Sequence, residues 1–265
     1  MSNQMPVHRT NARRAPLEPR PEALGPVKVI GLGGTGGIVA RYLVMYLAAL
    51  DLPIRVILMD GDDFEPKNAE RMFFSRYGNK ASVMHEDLVE TLGDAPVTLS
   101  AVEQYVTSEN VGELILDGDV VLLAVDNHAT RKLVAEHCAS AVENVCLISG
   151  GNDGVGKDSS GHLVQGTYGN VQVHRRRDGC DETPSLFAYH PEIAEPSDQL
   201  PTEISCTEAI ASVPQIVFSN LAAASAMLNA FYLHVCQDLD YAEVCFDIRD
   251  ALMRPVELPL PPSSP

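Results

Sequence analysis

The sequence predicts an α/β protein: a mostly parallel sheet with helices on both faces, extended by antiparallel strands and closed by a C-terminal hairpin. Three observations carry that expectation. Over residues 27–149 short β-branched runs alternate with helical periodicity, the spacing of successive βαβ units. A glycine cluster stands between the first run and the first helix. After Gly150 the chain turns Gly-, Asp- and Ser-rich and then alternates apolar with polar residues, the pattern of an antiparallel strand.

Each element follows in order. Residues 1–25 hold few large apolar groups and carry Arg9, Arg13, Arg14 and Arg20, so they read as a mobile arm. Val27, Val29 and Ile30 open the first strand, Ile38 to Leu50 is helical, and Ile54 to Met59 is a strand ending in Asp60. A helix is expected near 80–92, a strand near 96–101, a helix near 108–115, a strand at 120–125, a helix at 127–141 and a strand at 145–149. Residues 150–161 read as loop and Leu163 to His174 as one strand. Residues 178–205 hold four prolines, seven acidic residues and no Lys or Arg, which reads as a long irregular connection. A helix over about 207–236 precedes a hairpin of Val244 to Ile248 and Pro255 to Leu258, joined by Arg249 to Arg254. The result is one domain over 26–258 with an arm at 1–25 and a tail at 259–265.

Composition narrows the function classes. The chain has 265 residues, 45% of them hydrophobic and 21% charged, enough for an ordinary core without disulfides. Its net charge of −17 argues against phosphate-backbone binding, which needs clustered Lys and Arg. His174-Arg175-Arg176-Arg177 reads as a solvated turn. Six scattered cysteines form no C-x-x-C pair, and the N-terminus has no secretory h-region, so a reduced, cytoplasmic setting is expected. Ile216 to Val235 is apolar, but Asn220, Asn229 and His234 interrupt it, and a buried helix is the better reading.

Gly31-Leu32-Gly33-Gly34-Thr35-Gly36 fits G-x-G-x-x-G in the right place, between strand and helix. The glycines permit a tight turn and close approach to a phosphate, and the helix N-terminus offers free N–H groups. This is the nucleotide loop of a Rossmann-like fold, with Asp60 placed to accept ribose hydroxyls. By itself the loop suits either NAD or ATP. The segment after the second strand is more telling. Asp60-Gly61-Asp62-Asp63-Phe64-Glu65-Pro66-Lys67-Asn68-Ala69-Glu70-Arg71 packs acids, an Asn and an Arg beyond a strand's carboxyl end, and Lys80 opens the next helix. Asp126-Asn127 and Arg131 follow the fourth strand. A triphosphate with Mg²⁺ calls for such a set, a carboxylate for the metal and cations for the phosphates.

Gly31, Gly33, Gly34, Gly36, Asp60-x-Asp62, Asn68-x-x-Arg71, Lys80 and Asp126-Asn127-x-x-x-Arg131 together resemble the ThiF/MoeB/HesA family, related to the ubiquitin-activating enzymes. The resemblance is close over residues 27–150 and looser beyond. It implies an adenylyltransferase that activates the C-terminal carboxylate of a ubiquitin-like protein or peptide with ATP, releasing pyrophosphate. It assigns Asp60 to the ribose, Asn68, Arg71 and Lys80 to the phosphates, and Asp126 to Mg²⁺. It also implies a homodimer in which an arm arginine, Arg13 or Arg14, could reach the partner's ATP, and an acidic segment 178–205 under which a substrate tail threads. Three departures stand out: Met72 replaces a common Gln, the Gly-to-Lys step is one residue shorter, and the zinc-binding C-x-x-C pairs are missing, so no zinc is expected.

Attack of a carboxylate on phosphorus needs no thiol. Cys206, just before the expected long helix, is the candidate for a later acyl-accepting step, because a helix N-terminus lowers a thiol pKa. Cys180 lies among acids that would raise its own, and Cys138, Cys146, Cys236 and Cys245 fall on expected core elements. Two alternatives remain at this point. An NAD(P)-dependent oxidoreductase explains the glycine loop and Asp60 but not Asn68, Arg71, Lys80 and Asp126. A non-catalytic scaffold subunit of a heterodimeric activating enzyme would keep the fold without the chemistry.

Overall fold

The computed structural model describes residues 16–69, 72–157, 161–188, 190–203 and 215–256. In chain order its strands and helices are β1 Val27–Ile30, α1 Gly34–Ala48, β2 Ile54–Met59, β3 Asp63–Phe64, β4 Gly78–Asn79, α2 Lys80–Leu92, β5 Val97–Val102, α3 Val111–Leu114, β6 Asp119–Leu123 and α4 His128–Ser140. There follow β7 Val145–Asn152, β8 Val155–Lys157, β9 Leu163–Gln165, β10 Tyr168–Arg177, β11 Cys180–Asp181, α5 Pro191–Ala194, α6 Val217–Val235, β12 Glu243–Asp247 and β13 Leu252–Pro255.

The main sheet runs β13-β12-β10-β7-β6-β1-β2-β5, with β11 paired to β10. Strands β7, β6, β1, β2 and β5 are parallel, and β10, β12 and β13 continue the sheet antiparallel. This is the expected Rossmann-like architecture. The chain leaves β1 toward β2 and β5, then returns to β6 and β7 on the other side. The switch between β1 and β6 opens a crevice at the carboxyl ends of the strands, where open α/β sheets bind ligands.

Both faces are buried, because strand residues alternate between them. Val29, Val56, Leu122, Ile148 and Val171 pack under α1, α2 and α6 with Leu43, Met84, Met227 and Phe231. Ile30, Met59, Val121 and Leu147 pack under α3 and α4 with Ile115, Val134, Leu186 and Ile193. Near-continuous apolar runs such as Asp119–Leu123, buried at every position, are what two-sided burial demands.

The structure departs from the sequence reading in six places. The loop expected at 150–161 is strand through Asn152 and again at Val155–Lys157, because pairing with β10 and with Leu163–Gln165 holds these stretches extended. The helix expected at 108–115 is a single turn, Val111–Leu114. The strand expected over 163–174 is two strands broken at Gly166, whose φ of +71° no strand accommodates. The helix expected from 207 starts at Val217, since Ile216 is extended (φ −81°, ψ 122°); residues 204–214 lie outside the described ones. The closing strand is Leu252–Pro255 and pairs Phe246 with Met253, earlier in the chain than expected. The last part of the presumed arm is docked: Arg20 N–H donates to Val235 O (2.8 Å), Tyr232 Oη donates to Leu17 O (3.2 Å) and Leu24 packs on the core. Among the described residues no helix is long and apolar enough to cross a membrane.

Candidate functional site

The glycine loop is built as its sequence requires. Gly31 has φ +83°, and a Cβ at Gly36 would stand 1.7 Å from Gly31 O, so the helix packs directly on the turn. At Gly33 the only described group within 4 Å of a Cβ position is the Met72 methyl, at 3.5 Å. Gly33 is also the N-cap of α1, which has no side-chain cap and no acidic residue in its first turn. Among the described residues the first N–H groups of α1 therefore have no side-chain acceptor.

Asp60 ties this loop to the end of β2. Its Oδ2 accepts from Leu32 N–H at 2.6 Å and its Oδ1 from Asp62 N–H at 2.8 Å. Burial raises the Asp60 pKa, opposed by Lys80 and by the two N–H donors. Lys80 is buried at the first position of α2, its Nζ 2.8 Å from Asp62 Oδ2 and 3.8 Å from Asp60 Oδ1. It is a crevice cation with two carboxylates, not a surface ion pair. Asn79 holds the two segments together: its Nδ2 donates to Asp60 O and Asp62 O, and its Oδ1 caps α2.

The other expected residues fall around this centre. Asn68 is buried, and its Oδ1 accepts from Glu65 N–H (3.1 Å) in a capped 3₁₀ turn. Met72, at the end of the same segment, is the residue that meets Gly33, so this segment folds back over the loop. Asp126 is exposed just beyond β6, and its charge reaches both Tyr105 and Arg131. Asn127 Oδ1 caps α4 by accepting from Thr130 N–H at 2.7 Å. Arg131 is buried and donates to Ser149 Oγ (2.5 Å), Val125 O (2.7 Å) and Gly150 O (2.9 Å), which joins the ends of β6 and β7. Burial pulls its pKa down to about 10, against Asp126 and Asp198. Arg71, Cys206, Arg13 and Arg14 lie outside the described residues. The described helix α6 begins at Val217, eleven positions after Cys206 in the sequence.

The acidic segment is less free than its composition implied. Asp178 and Gly179 both have positive φ (49° and 73°), the conformation of a two-residue type I′ turn, and β10 and β11 form a hairpin around them. The basic run thereby faces the acids: Arg176 bonds Asp181 (2.7 Å), while Arg175 and Arg177 reach Glu182 (3.5 and 3.1 Å). Farther on, His190 lies between Glu243 and Glu192, each 2.7 Å away. Burial opposes protonation of His190, but the two carboxylates outweigh it and raise its pKa. Asp198 accepts the N–H groups of His128 and Ala129, both at 2.8 Å, at the head of α4. Asp198 thus straps the segment to the head of α4, which begins two residues after Asp126. Cys138 and Cys146 are buried, which pushes both thiols up to about 12; Cys245 is half-buried and accepts a hydrogen bond from Tyr168 (3.1 Å).

Tyr105 is the crevice residue that sequence reasoning missed. Its ring lies on Gly61 and its hydroxyl donates to Asp62. No motif marks it, and the β5 loop that carries it is brought over only by the sheet order.

A model of the ThiF family matches residues 25–231. The chain belongs to that family. Among curated proteins, the sulfur carrier protein ThiS adenylyltransferase of Escherichia coli K12 is 31% identical over 134 residues, 49% of this chain and 50% of that protein. Of solved structures, E. coli MccB with AMPCPP and MccA superposes with a TM-score of 0.63 at 15% identity, covering 91% of this chain and 66% of that one. MccB with ATP gives 0.62 at 15% identity over 89% and 64%, and PaaA 0.56 at 16% over 89% and 64%. At such identities the likeness is one of fold. The chain spans half the length of the curated relative and about two thirds of MccB.

Proposed function

We propose that this ThiF-family chain is an ATP-dependent adenylyltransferase that activates the C-terminal carboxylate of a ubiquitin-like protein or peptide. The observation that carries the reading is the setting of Lys80, Asp60 and Asp62 against the glycine loop and a helix N-terminus without a side-chain cap. The related ThiS adenylyltransferase and the MccB structures with ATP and with AMPCPP and MccA support it. ATP supplies the activated phosphorus and the pyrophosphate leaving group. The α1 N–H groups and Lys80 would neutralise phosphate charge, with Arg71 and Asn68 completing the set, and Asp60 would meet the ribose. Exposed Asp126 would hold a Mg²⁺ that the nucleotide brings, and that ion would help neutralise the phosphate charge. The attacking carboxylate is already ionised at neutral pH, so the chain need supply no general base.

A second copy of the chain is the natural cover for the outer face of α1 and α6. Tyr42, Met45, Phe218 and Leu221 are exposed there, and α6 carries no Asp, Glu, Lys or Arg in a chain of net charge −17. Calorimetric titration with Mg-ATP and, separately, NAD(H), with Asp126→Ala alongside, tests the function. Mg-ATP binding that weakens at least tenfold in Asp126→Ala is expected. Binding of NAD(H) alone would overturn the reading in favour of an oxidoreductase, and silence with both would favour a scaffold subunit.

A further inference from the structure

We propose that Tyr105 is a positioning residue for the nucleotide: its hydroxyl holds Asp62, and Asp62 in turn holds Lys80 beside the glycine loop. The inference rests on the reading of this crevice as an ATP site. The tyrosine is fixed from behind. Asn110 Nδ2 donates to Tyr105 O (2.9 Å), Asn110 Oδ1 accepts from Thr107 N–H (2.8 Å), and Val106 is buried in the core under α4. In front, the ring lies flat against the backbone of Gly61, where a Cβ would come within 2.6 Å of its carbons. Only glycine at position 61 admits the ring this closely.

The hydroxyl has one clear role from that position. It donates to Asp62 Oδ1, while Asp62 Oδ2 takes the Lys80 ammonium at 2.8 Å. Burial and the bond to Asp62 raise the phenol pKa, with Asp60 and Asp126 adding to the effect, so the group remains a donor across the neutral range. The Asp62 side chain is 53% exposed, whereas that of Lys80 is 7% exposed. The two contacts, one on each oxygen, oppose rotation of so exposed a carboxylate. Held on both, it keeps Lys80 in one place. The hydroxyl also draws on the Asp62 charge, which eases the exchange of Asp62 for a phosphate oxygen at Lys80. Loss of the hydroxyl removes both effects, and both losses disfavour phosphate binding.

Tyr105→Phe isolates the hydroxyl, because the ring on Gly61 remains. Calorimetry of the full chain with Mg-ATP should show about five- to tenfold weaker binding, and AMP, which lacks the outer phosphates, should bind as to the unmodified chain. In an Asp62→Asn background the same change should cost less than about twofold, since the hydroxyl acts through the carboxylate. Unaltered Mg-ATP affinity in Tyr105→Phe, or an equal loss with and without the Asp62 carboxylate, would overturn the proposal. Lys80→Ala separates the two levels: if it loses Mg-ATP binding while Tyr105→Phe does not, the site stands and the role of Tyr105 falls. If the unmodified chain itself binds no Mg-ATP, both fall.

Discussion

Asp60→Asn changes one atom and removes one charge, yet the structure leaves the amide no good orientation. The two carboxylate oxygens accept from different backbone donors, Leu32 N–H at 2.6 Å and Asp62 N–H at 2.8 Å. An amide has one acceptor oxygen, so its NH₂ must face one of those N–H groups. Losing a charge-assisted bond and leaving its donor unmet costs about 3 kcal/mol. Against this, the variant no longer buries a charge, a smaller relief because Lys80 and the two N–H donors already offset part of that burial. The net loss is about 2 kcal/mol. For 265 residues the unfolding entropy is about 0.6 kcal/mol/K, so the melting midpoint should fall by about 3 °C. Because Leu32 belongs to the glycine loop, Mg-ATP affinity should fall as well. Thermal unfolding followed by circular dichroism, paired with calorimetry, measures both. A midpoint within about 1 °C of the unmodified protein, or above it, would refute the reasoning that two N–H bonds outweigh the buried charge.

Other expectations can be checked alongside. Asp198→Ala removes the shared acceptor at the head of α4, at a cost of about 1–2 kcal/mol; hydrogen exchange at the His128 and Ala129 amides should quicken about tenfold, and unchanged exchange would mean the strap is not tied there. His234 should make the fold acid-sensitive. Burial, reinforced by Arg175 and Arg177, lowers its pKa from 6.5 to about 4. Above pH 6.5 the imidazole is neutral in both states and has no effect. As pH falls from 6.5 to 4 the unfolded chain takes a proton that the folded one does not, so stability is lost, by up to about 3 kcal/mol. His234→Gln should escape that loss, and parallel stability profiles over this range would contradict the assignment.

Some errors of the sequence reading were avoidable. Asp178-Gly179 between His174–Arg177 and Cys180–Glu182 is a readable hairpin signal, and it would have turned a basic run and an acidic loop into mutual partners. Pro214 likewise hinted that the apolar helix starts after it, at Val217. Other features carried no local mark. Tyr105 stands in a polar stretch after β5, and its partner Asp62 is 43 positions away. His190 meets Glu243 across 53 positions.

The local chemistry of the chain determined its parallel strands and the glycine turn, and put Asp60, Lys80 and Asp126 beyond strand ends. These depend on period, steric freedom and short-range order, all of which are written in neighbouring residues. Tertiary structure alone decided what those groups do to one another. It set Lys80 between two carboxylates, committed Arg131 to the carbonyls of Val125 and Gly150, and laid the Tyr105 ring on Gly61. The reason is physical: a charge takes its partner from whatever the sheet order and burial bring within about 3 Å, and that proximity is not a property of sequence distance.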